Sequence, residues 1–520
     1  MPIYYGLNES HSNDWAQIAR DGTIGIVYFE HDNSDHDTGN LTYKTIVNGV
    51  SKQEIIVSGN HLENSVLLFD TDSNPHIFLA ESENSSQKIT HYQQNVNGDW
   101  FSDEIINFQM TPGKFIYEIS ADIGDDGSFH LVVLKTRSNP DSNDYFYAYL
   151  DARLFYITNE SGSWTKEMIK NYPTVFTMDE YSKMMNRQDI EVDSDGKVHI
   201  IFGNQLNPTD WSNANERLDY MTNKEGEWKS ETAVEIKNYS RYSSGWYSSL
   251  CLDNENNPHI SCATINRVQT GSAMNSKLVF ASRKNGKWES EIIATNDDGY
   301  YGGDGRDYTG GLTHLVFDKN NIPHIIFSDI ASSHNKGNYF NLGNIRYANK
   351  PADSWQIQKI YQSPLPGGRY NATEIYDICL LISDDTSEIH VIGQKLKIEN
   401  EDNYSCTLLH KIIKSNQQNI DDIDEVNASE FELYQNHPNP FNSNTNIEFF
   451  IATRGEIELD IFNISGKHIK KLLSDNRSGG KYSVYWNGEN EKGSLQNSGV
   501  YFYRLKNENL NKIRKMTFIK

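Results

Sequence analysis

A histidine that recurs at long, similar intervals is the feature that most constrains this chain. It follows a polar turn rich in Asp, Asn, Gly and Pro, and the spacing between copies is 54 to 69 residues. The copies are His76, His130, His199, His259, His324 and His390. An earlier, degenerate copy carries Gly25 at the same position. Because each copy of such a repeat must form one structural unit that packs against the next, the repeat dictates the architecture of the domain.

Each copy contains four short strand signals. In the copy between residues 248 and 293, apolar and polar residues alternate at 248–253, 259–265, 277–282 and 288–293, with Asn, Asp, Gly and Pro turns between them. The fourth segment follows a Gly-x-Trp turn or a variant of it, at Trp100, Trp164, Trp228, Trp288 and Trp355. Four short strands per repeat are typical of a β-propeller blade. Seven visible copies predict an all-β chain with a seven-bladed β-propeller at residues 1–414, and the lack of any helical period excludes a helical solenoid.

The two ends of the repeat region are imperfect. The seventh copy has strand signals at residues 375–381, 388–394 and 406–412 but no Gly-x-Trp strand. The chain starts with a strand-like segment at residues 3–7. We expect this segment to supply the missing outer strand, since joining both ends in one blade leaves no long exposed sheet edge.

Charge and composition exclude several classes of protein. The formal net charge of −24 disfavours binding to nucleic acids and to anionic membrane surfaces. No apolar run of about 18 residues predicts a membrane span, and the first twenty residues lack the features of a signal peptide. The four cysteines show no CxxC or zinc-binding spacing, so we expect buried thiols and neither a metal nor a cofactor.

The sequence changes character after residue 414. Residues 415–432 are polar and acidic and predict a linker, whereas 433–520 contain alternating strands without the histidine repeat and predict a small Ig-like β-sandwich. Three motifs stand out in order, at residues 436–442 (NHPNPFN), 463–467 (NISGK) and 498–503 (SGVYFY), before a basic end. This segment resembles the C-terminal sorting domain of type IX (Por) secretion cargo. The resemblance implies export to the surface of a Gram-negative bacterium, with the outer-membrane secretion machinery as a partner.

The repeats themselves are similar to bacterial propeller repeats with a DxxGxPHIxY pattern, as in residues 72–78 (DSNPHIF) and 195–200 (DGKVHI). That group shares a fold and no single activity. We interpret the repeated histidines as structural, each donating or accepting a hydrogen bond within its own blade. The Asp-rich turns are too short for an EF-hand loop, so we interpret them as Asx turns and not as calcium sites.

Loop length indicates where a ligand would bind. Long connections are predicted at 136–153, 204–217 and 328–344 between second and third strands, and at 171–186, 237–247, 295–312 and 362–374 between blades, so that all fall on one face. They are rich in Tyr, Trp and Arg, which suits stacking on sugar rings and hydrogen bonding to their hydroxyls. The predicted ligand-binding residues are Arg187, Arg241, Tyr242, Trp246, Tyr247, Arg306, Tyr308, His314, Arg369 and Tyr376.

Three functions remain open on this basis. The first is carbohydrate binding by an exported or cell-surface protein. The second is a polysaccharide lyase or glycoside hydrolase on the same face, with His314 and Tyr247 as acid or base and Arg306 neutralising a carboxylate of the substrate. The third is a surface platform for another protein, since the same aromatic residues suit a protein interface.

Overall fold

The computed structural model divides into two compact units, residues 1–424 and 425–520. The description below covers the residues whose structure is defined, which are 13–32, 35–47, 50–60, 62–83, 86–95, 98–109, 114–138, 149–172, 188–205, 215–237, 248–267, 274–295, 307–335, 338–362, 373–383, 388–398, 404–414, 420–421, 431–451, 455–464, 466–477, 480–506 and 511–520. Within them the chain is built of β-strands, and no helix is long and apolar enough to cross a membrane.

Over these residues the first unit contains seven four-stranded antiparallel sheets, each made of four consecutive strands. Sheets 1 to 3 are β1 (Ala16–Ile18), β2 (Ile24–Asp32), β3 (Asp35–Val47) and β4 (Val50–Asn60); β5 (Leu62–Phe69), β6 (Pro75–Glu83), β7 (Ser86–Gln94) and β8 (Trp100–Gln109); β9 (Lys114–Ile123), β10 (Phe129–Ser138), β11 (Tyr149–Thr158) and β12 (Thr165–Tyr172). Sheets 4 and 5 are β13 (Asp189–Val192), β14 (Val198–Gln205), β15 (Asn215–Thr222) and β16 (Lys229–Lys237); β17 (Ser248–Leu252), β18 (Pro258–Arg267), β19 (Met274–Lys284) and β20 (Lys287–Thr295). Sheets 6 and 7 are β21 (Asp307–Phe317), β22 (Pro323–Asn335), β23 (Asn338–Asn349) and β24 (Gln356–Gln362); β25 (Thr373–Ile382), β26 (Glu388–Ile398), β27 (Tyr404–Lys414) and β28 (Ile420–Asp421).

Polar turns connect the first and second strands of the sheets. Asp70 shows how the sequence makes such a turn: its Oδ1 accepts the backbone N–H groups of Asp72 (2.9 Å) and Asn74 (2.8 Å). Ser73 between them adopts a positive φ of 66°, and glycine occupies the equivalent place at Gly196. These hydrogen bonds confirm the prediction of Asx turns.

A β-bulge interrupts the pairing of the third and fourth strands in each of sheets 1 to 6, for example between Leu154 and Phe155. The bulge leaves an apolar residue exposed on several outer strands, such as Met168 (49% exposed) and Ile292 (54%). A bulge twists an outer strand and disrupts its hydrogen-bonding edge, which opposes edge-to-edge aggregation. The sequence analysis did not predict these bulges.

The sheets pack against one another through apolar clusters that span neighbouring sheets. Sheets 2 and 3 share one cluster around Phe78 and Leu131, and sheets 6 and 7 share another around Ile326 and Leu380. A further cluster joins the fully buried Trp15 to Cys379 and Leu381 on sheet 7. The first sheet therefore packs against the last, and the series closes on itself in a β-propeller-like arrangement.

The outer edge of sheet 7 differs from the prediction of a strand at residues 3–7. In the defined part of the chain, Ile420 and Asp421 pair with Ile413 and Ile412 of β27. These two residues come from the segment that the sequence predicted to be a linker. Residues 3–7 lie outside the described ranges, and their pairing stays a prediction.

The second unit contains two antiparallel sheets in its described residues. One is three-stranded, with β29 (Phe431–Leu433), β30 (Thr445–Ile451) and β33 (Gly480–Trp486) in the order β29-β30-β33. The other has β31 (Gly455–Asn463), β32 (His468–Arg477), β34 (Gly499–Lys506) and β35 (Asn511–Phe518) in the order β32-β31-β34-β35. Trp486, Tyr503 and Phe518 are almost fully buried in its core.

Candidate functional site

Most of the predicted ligand-binding residues lie outside the described ranges. This applies to Arg187, Arg241, Tyr242, Trp246, Tyr247, Arg306 and Arg369. Tyr308 lies on β21 and Tyr376 on β25, the innermost strands of sheets 6 and 7, but their side chains are not described. The predicted role of all these residues in ligand binding stays a prediction.

The position of the connections agrees in part with the sequence analysis. Residues 206–214, 238–247 and 363–372 join strands at the end of the sheets opposite to the Asx turns. The prediction of a long loop at residues 328–344 is wrong, because β22 and β23 continue as a paired hairpin as far as Asn335 and Asn338. The central part of that segment, residues 332–338, is polar, so backbone pairing and not apolar alternation defines the strands there. Residues 307–312, also predicted as loop, belong to β21.

His314 is the one predicted site residue whose side chain the structure describes. Its Nδ1 accepts the backbone N–H of Leu380 on the innermost strand of sheet 7, at 2.8 Å. His314 lies on the first strand of its sheet, two residues before the residue that pairs with the repeated histidine. Asp189 in sheet 4 and Ser249 in sheet 5 occupy the same position of the repeat. Both make the equivalent bond to the next sheet, with Leu250 N–H (2.8 Å) and Leu315 N–H (3.1 Å) as donors. His314 thus belongs to a series of bonds between innermost strands, and its Nδ1 is already occupied.

The repeated histidines are buried, with exposures between 1% and 7%, and each forms a hydrogen bond within its own sheet. Nδ1 contacts a polar side chain on the third strand: His91 (3.0 Å), Tyr156 (2.5 Å), Tyr220 (2.6 Å), Ser282 (2.9 Å), Tyr347 and His410 (3.0 Å) in sheets 2 to 7. Nε2 faces the turn that precedes the strand, for instance Asp193 at 3.2 Å and Asp253 at 3.1 Å. The prediction that these histidines stabilise their blades is confirmed.

Burial determines the protonation of this network. It lowers the pKa of His199 and His259, although the aspartates Asp193 and Asp253 act in the opposite direction. The effect is larger where a second histidine replaces tyrosine, because burial and the neighbouring imidazole together lower the pKa of His91 to about 3 and of His410 to about 4. The histidines are therefore neutral at neutral pH, as a structural role requires.

The tryptophans of the Gly-x-Trp turns pack between sheets. Trp228 and Trp288 meet Tyr156 and Tyr220 of the preceding sheet edge to face, with ring centroids 5.1 and 5.3 Å apart. Their indole N–H groups donate to glutamates of that same preceding sheet. These tryptophans therefore act as packing residues between neighbouring sheets.

Sequence analysis missed a group of carboxylates at the innermost strands. Asp14 Oδ2 and Asp189 Oδ1 each lie 3.1 Å from the hydroxyl of Ser120 on β9. Asp122 accepts the N–H of Val192 (2.6 Å), and Glu191 lies beside it on β13. The repeat could have indicated that these carboxylates lie together. Asp122 and Glu191 occupy the same repeat position, because each pairs with the repeated histidine of its sheet.

These carboxylates are unusually basic. Burial, opposed by two backbone hydrogen bonds and reinforced by Asp189, raises the pKa of Asp122 to about 6. Burial and the neighbouring aspartates also raise the pKa of Asp14 and of Glu191. Across the described residues, no three His, Cys, Asp or Glu side chains are arranged to hold a metal ion. The raised pKa values mean that these carboxyl groups hold their protons more tightly than ordinary carboxylic acids do.

Comparison with known proteins identifies the second unit. Residues 435–520 match the family described as the secretion system C-terminal sorting domain. No curated protein sequence matches the chain. The sorting domain implies a partner in the secretion machinery, and the chain is a secreted or cell-surface protein of a Gram-negative bacterium.

Three solved structures show weak similarity to the chain. PorZ of Porphyromonas gingivalis, described as an essential surface component of the type IX secretion system, aligns over 100% of this chain and 61% of its own length (11% identity, TM-score 0.37). The polysaccharide lyase Uly1 aligns over 77% of this chain and 89% of its own length, with 12% identity and a TM-score of 0.43. The α-L-arabinofuranosidase Arb93A of Fusarium graminearum aligns over 67% of this chain and 92% of its own length, with 12% identity and a TM-score of 0.36. This chain thus spans less than two thirds of PorZ, and likeness at this level does not extend to activity.

Removal of the sorting domain gives a direct prediction. A chain ending at residue 424, the boundary between the two compact units, should no longer reach the cell surface of a host with the type IX system. The measurement is protease accessibility of the first unit on intact cells. As a control, Tyr485→Ala changes an exposed side chain of the second unit (68% exposed) and should leave export intact. Surface exposure of the truncated chain would show that export does not depend on this domain.

Proposed function

We propose that this chain is an exported seven-bladed β-propeller that binds a carbohydrate polymer through the face bearing its long connections. In this proposal the propeller comprises residues 1–414, a linker 415–432 and an Ig-like sorting domain 433–520. The ligand residues are those that the sequence placed in the long connections and at the ends of the innermost strands, among them Arg241, Trp246 and Arg369.

One observation carries the proposal. In sheets 3 to 6 the turns at one end of the strands are short and tied by hydrogen bonds, whereas most connections at the other end are long. Those at residues 206–214, 238–247, 296–306 and 363–372 carry Tyr, Trp or Arg. A rigid scaffold that carries long aromatic connections on one side only is typical of a ligand-binding surface. Because the chain is acidic overall, the arginines on this side favour an anionic or hydroxyl-rich polymer.

A hydrolase is the second candidate function, favoured by the carboxylates at the innermost strands. Glycoside hydrolysis uses one carboxylic acid that keeps its proton and one carboxylate that is ionised. Glu191, whose pKa is raised by burial and by Asp122 and Asp189, has the character of the acid. Asp189 accepts hydrogen bonds from two backbone N–H groups, Ile190 and Leu250, which favours its ionised form.

Both candidates are tested by one experiment on the full chain. Retention on immobilised acidic and neutral polysaccharides reports binding, and the release of reducing ends or of unsaturated products reports cleavage. We expect retention that Trp246→Ala weakens at least about tenfold, the loss typical of an aromatic residue at the centre of a binding surface. Phe101→Ala is the matched control, because Phe101 is an exposed aromatic residue (53%) on β8, next to a short turn.

The outcomes separate the candidates. Retention without product supports a binding protein. Product formation that Glu191→Gln abolishes supports a hydrolase, and product that only Tyr247→Phe abolishes supports a lyase. If no polysaccharide is retained or cleaved, the carbohydrate proposal is overturned and a protein partner for this face takes its place.

A further inference from the structure

The first turn of the described chain, Asn13–Trp15, lies against the innermost strands of several sheets. It contacts β5, β9 and β25, which belong to sheets 2, 3 and 7, as well as β2 of its own sheet. Trp15 is completely buried in the cluster that joins sheets 1, 2 and 7. Asp14 extends in another direction, to Ser120 on sheet 3, which in turn contacts Asp189 on sheet 4. This turn thus connects sheets that are not neighbours in the series.

The hydrogen bonds around Ser120 require a proton. A serine hydroxyl has a single hydrogen to donate, yet Ser120 Oγ lies 3.1 Å from a carboxylate oxygen of Asp14 and 3.1 Å from one of Asp189. Asp189 already accepts N–H groups of Ile190 (3.0 Å) and Leu250 (2.8 Å), so it is the carboxylate stabilised as an anion and the natural acceptor of the hydroxyl proton. The second contact is satisfied when Asp14 is a neutral acid whose O–H donates to Ser120 Oγ.

We propose that Asp14 keeps a proton in the folded protein at neutral pH, and that the chain Asp14–Ser120–Asp189 locks the first turn onto the innermost strands of sheets 3 and 4. Asp189 is the first residue of β13 and directly follows the connection 173–188, so this lock lies at the end of the sheets that carries the long connections. Loss of the proton places two anions on either side of one hydroxyl and weakens the attachment of the turn. The inference does not depend on carbohydrate binding, although Asp189 is also one of the two carboxyl groups named for the hydrolase candidate.

The carboxylates around Asp14 also favour its protonated form. Burial is the main cause that raises the pKa of Asp14, followed by repulsion from Asp189 and then from Asp122, whereas the hydrogen bonds to Ser120 and to the backbone of Ala121 lower it. Among elements packed around this turn, β2 brings Tyr28, which bonds Gln53, and the described side chains of β5 bring no ionisable group. The other ionisable groups that face the site are Glu118 and Asp122 on β9, Asp189 and Glu191 on β13, Cys251 on β17, and Asp377 and Cys379 on β25.

The sign of the pH effect follows from the raised pKa. A folded-state pKa above that of the unfolded chain gives stability that is fully present below the unfolded pKa. This stability is lost as the pH rises through the folded pKa. The lock is therefore expected to weaken toward alkaline pH and to be insensitive to acid.

The test compares the full chain with Asp14→Asn, whose neutral amide can donate to Ser120 at every pH, and with Asp72→Asn, an exposed aspartate, as control. Infrared difference spectra at neutral pH should show the carbonyl absorption of buried protonated acids, which Asp14→Asn lowers by the contribution of one group and Asp72→Asn leaves unchanged. Calorimetry in buffers of different ionisation enthalpy should show that unfolding of the unmodified chain releases about one proton more than unfolding of Asp14→Asn. The melting temperature of Asp14→Asn should also fall less as the pH rises.

Two results would overturn the proposal. One is a spectrum of the unmodified chain without a protonated-acid band, which decides the question even if the variant does not fold. The other is a band and a proton release that Asp14→Asn leaves unchanged, which would assign the proton to another carboxyl group such as Glu191. Ser120→Ala provides the second variant, because it removes the hydroxyl between the two carboxyl groups, and it should lower the melting temperature at neutral pH, where the lock is formed.

Discussion

Replacing both His91 and His410 by tyrosine is expected to make the first unit resistant to acid unfolding. In sheets 3, 4 and 6 the repeated histidine meets a tyrosine hydroxyl on the third strand, whereas in sheets 2 and 7 it meets a second imidazole. Tyrosine at these two places therefore installs an arrangement that the same chain already uses three times.

The direction of the effect follows from the lowered pKa values. Histidine in the unfolded chain titrates near its ordinary value, but burial and the neighbouring imidazole hold the pKa of His91 at about 3 and that of His410 at about 4. A depressed folded-state pKa gives stability that is present above the unfolded pKa and is lost as the pH falls through the folded pKa. Near pH 4.5 the two residues together are expected to cost up to about 5 kcal/mol of unfolding free energy, and tyrosine removes this loss.

The measurement is the unfolding free energy, or the melting temperature, between neutral pH and about pH 4. In this range the two histidines become protonated in the unfolded chain before they do so in the folded chain. The unmodified chain should lose stability across this range more steeply than His91→Tyr/His410→Tyr, while both behave alike at neutral pH. His91→Phe/His410→Phe is the matched control, because phenylalanine has the ring but no hydroxyl for Nδ1 of the repeated histidine. Parallel acid profiles for the unmodified chain and the tyrosine variant would show that these two pairs do not govern acid stability.

The sequence predicted the parts of the fold that leave a local signature. The strand alternation at 259–265, the Asx turn at Asp253 and the strand that follows the turn at Trp288 are each determined by a few consecutive residues, and all appear as expected. The structural role of His199 was also predictable, because six equivalent positions in one domain are too regular for a single catalytic group. The motifs between Asn436 and the basic end predicted the sorting domain, because each motif is a short run of consecutive residues.

Features that depend on pairing between distant strands were not predictable. The register puts Cys251 on β17 opposite His259 on β18, and no local residue pattern specifies that pairing. The hairpin near Asn335 has no apolar alternation, so backbone pairing alone defines it. The contact of Asp14 with Ser120 joins residues that are 106 positions apart. Sequence analysis predicted His314 as an acid or base because nothing local shows that its Nδ1 binds Leu380 N–H on the next sheet.

Gly25 shows why one copy of the repeat departs from the others, and it gives the second large prediction. A Cβ atom at this position would lie 2.7 Å from Phe69 Cζ and 2.9 Å from Leu67 Cδ2. In sheet 5, His259 occupies the equivalent place and packs beside Phe317 of sheet 6, with ring centroids 4.6 Å apart. Phe69 is the counterpart of Phe317, so in sheet 1 it fills the space of the missing imidazole. Glycine is thus required here by packing.

Restoring the repeat residue by Gly25→His should therefore destabilise the first unit, by at least about 2 kcal/mol, as expected for overpacking of a tight core. The substitution also buries an imidazole whose turn offers Ala19, where sheets 2, 4, 5 and 6 offer aspartate at Asp70, Asp193, Asp253 and Asp318. Gly59→Ala is the control, because a Cβ atom there meets only Leu62 Cδ2 at an ordinary 3.4 Å. Chemical denaturation of the full chain, followed by the fluorescence of its tryptophans, measures both.

A second substitution decides whether Phe69 is the cause. Sheets 3 and 7 carry isoleucine, Ile123 and Ile382, at the position of Phe69. Adding Phe69→Ile to Gly25→His should recover part of the lost stability, although Phe69→Ile alone removes packing and destabilises the chain. A favourable coupling energy between the two substitutions is the expected result, since residues in direct contact are not additive. If the stability changes of the two substitutions simply add, the Phe69 ring is not the reason for glycine at position 25. The backbone conformation would then be the reason.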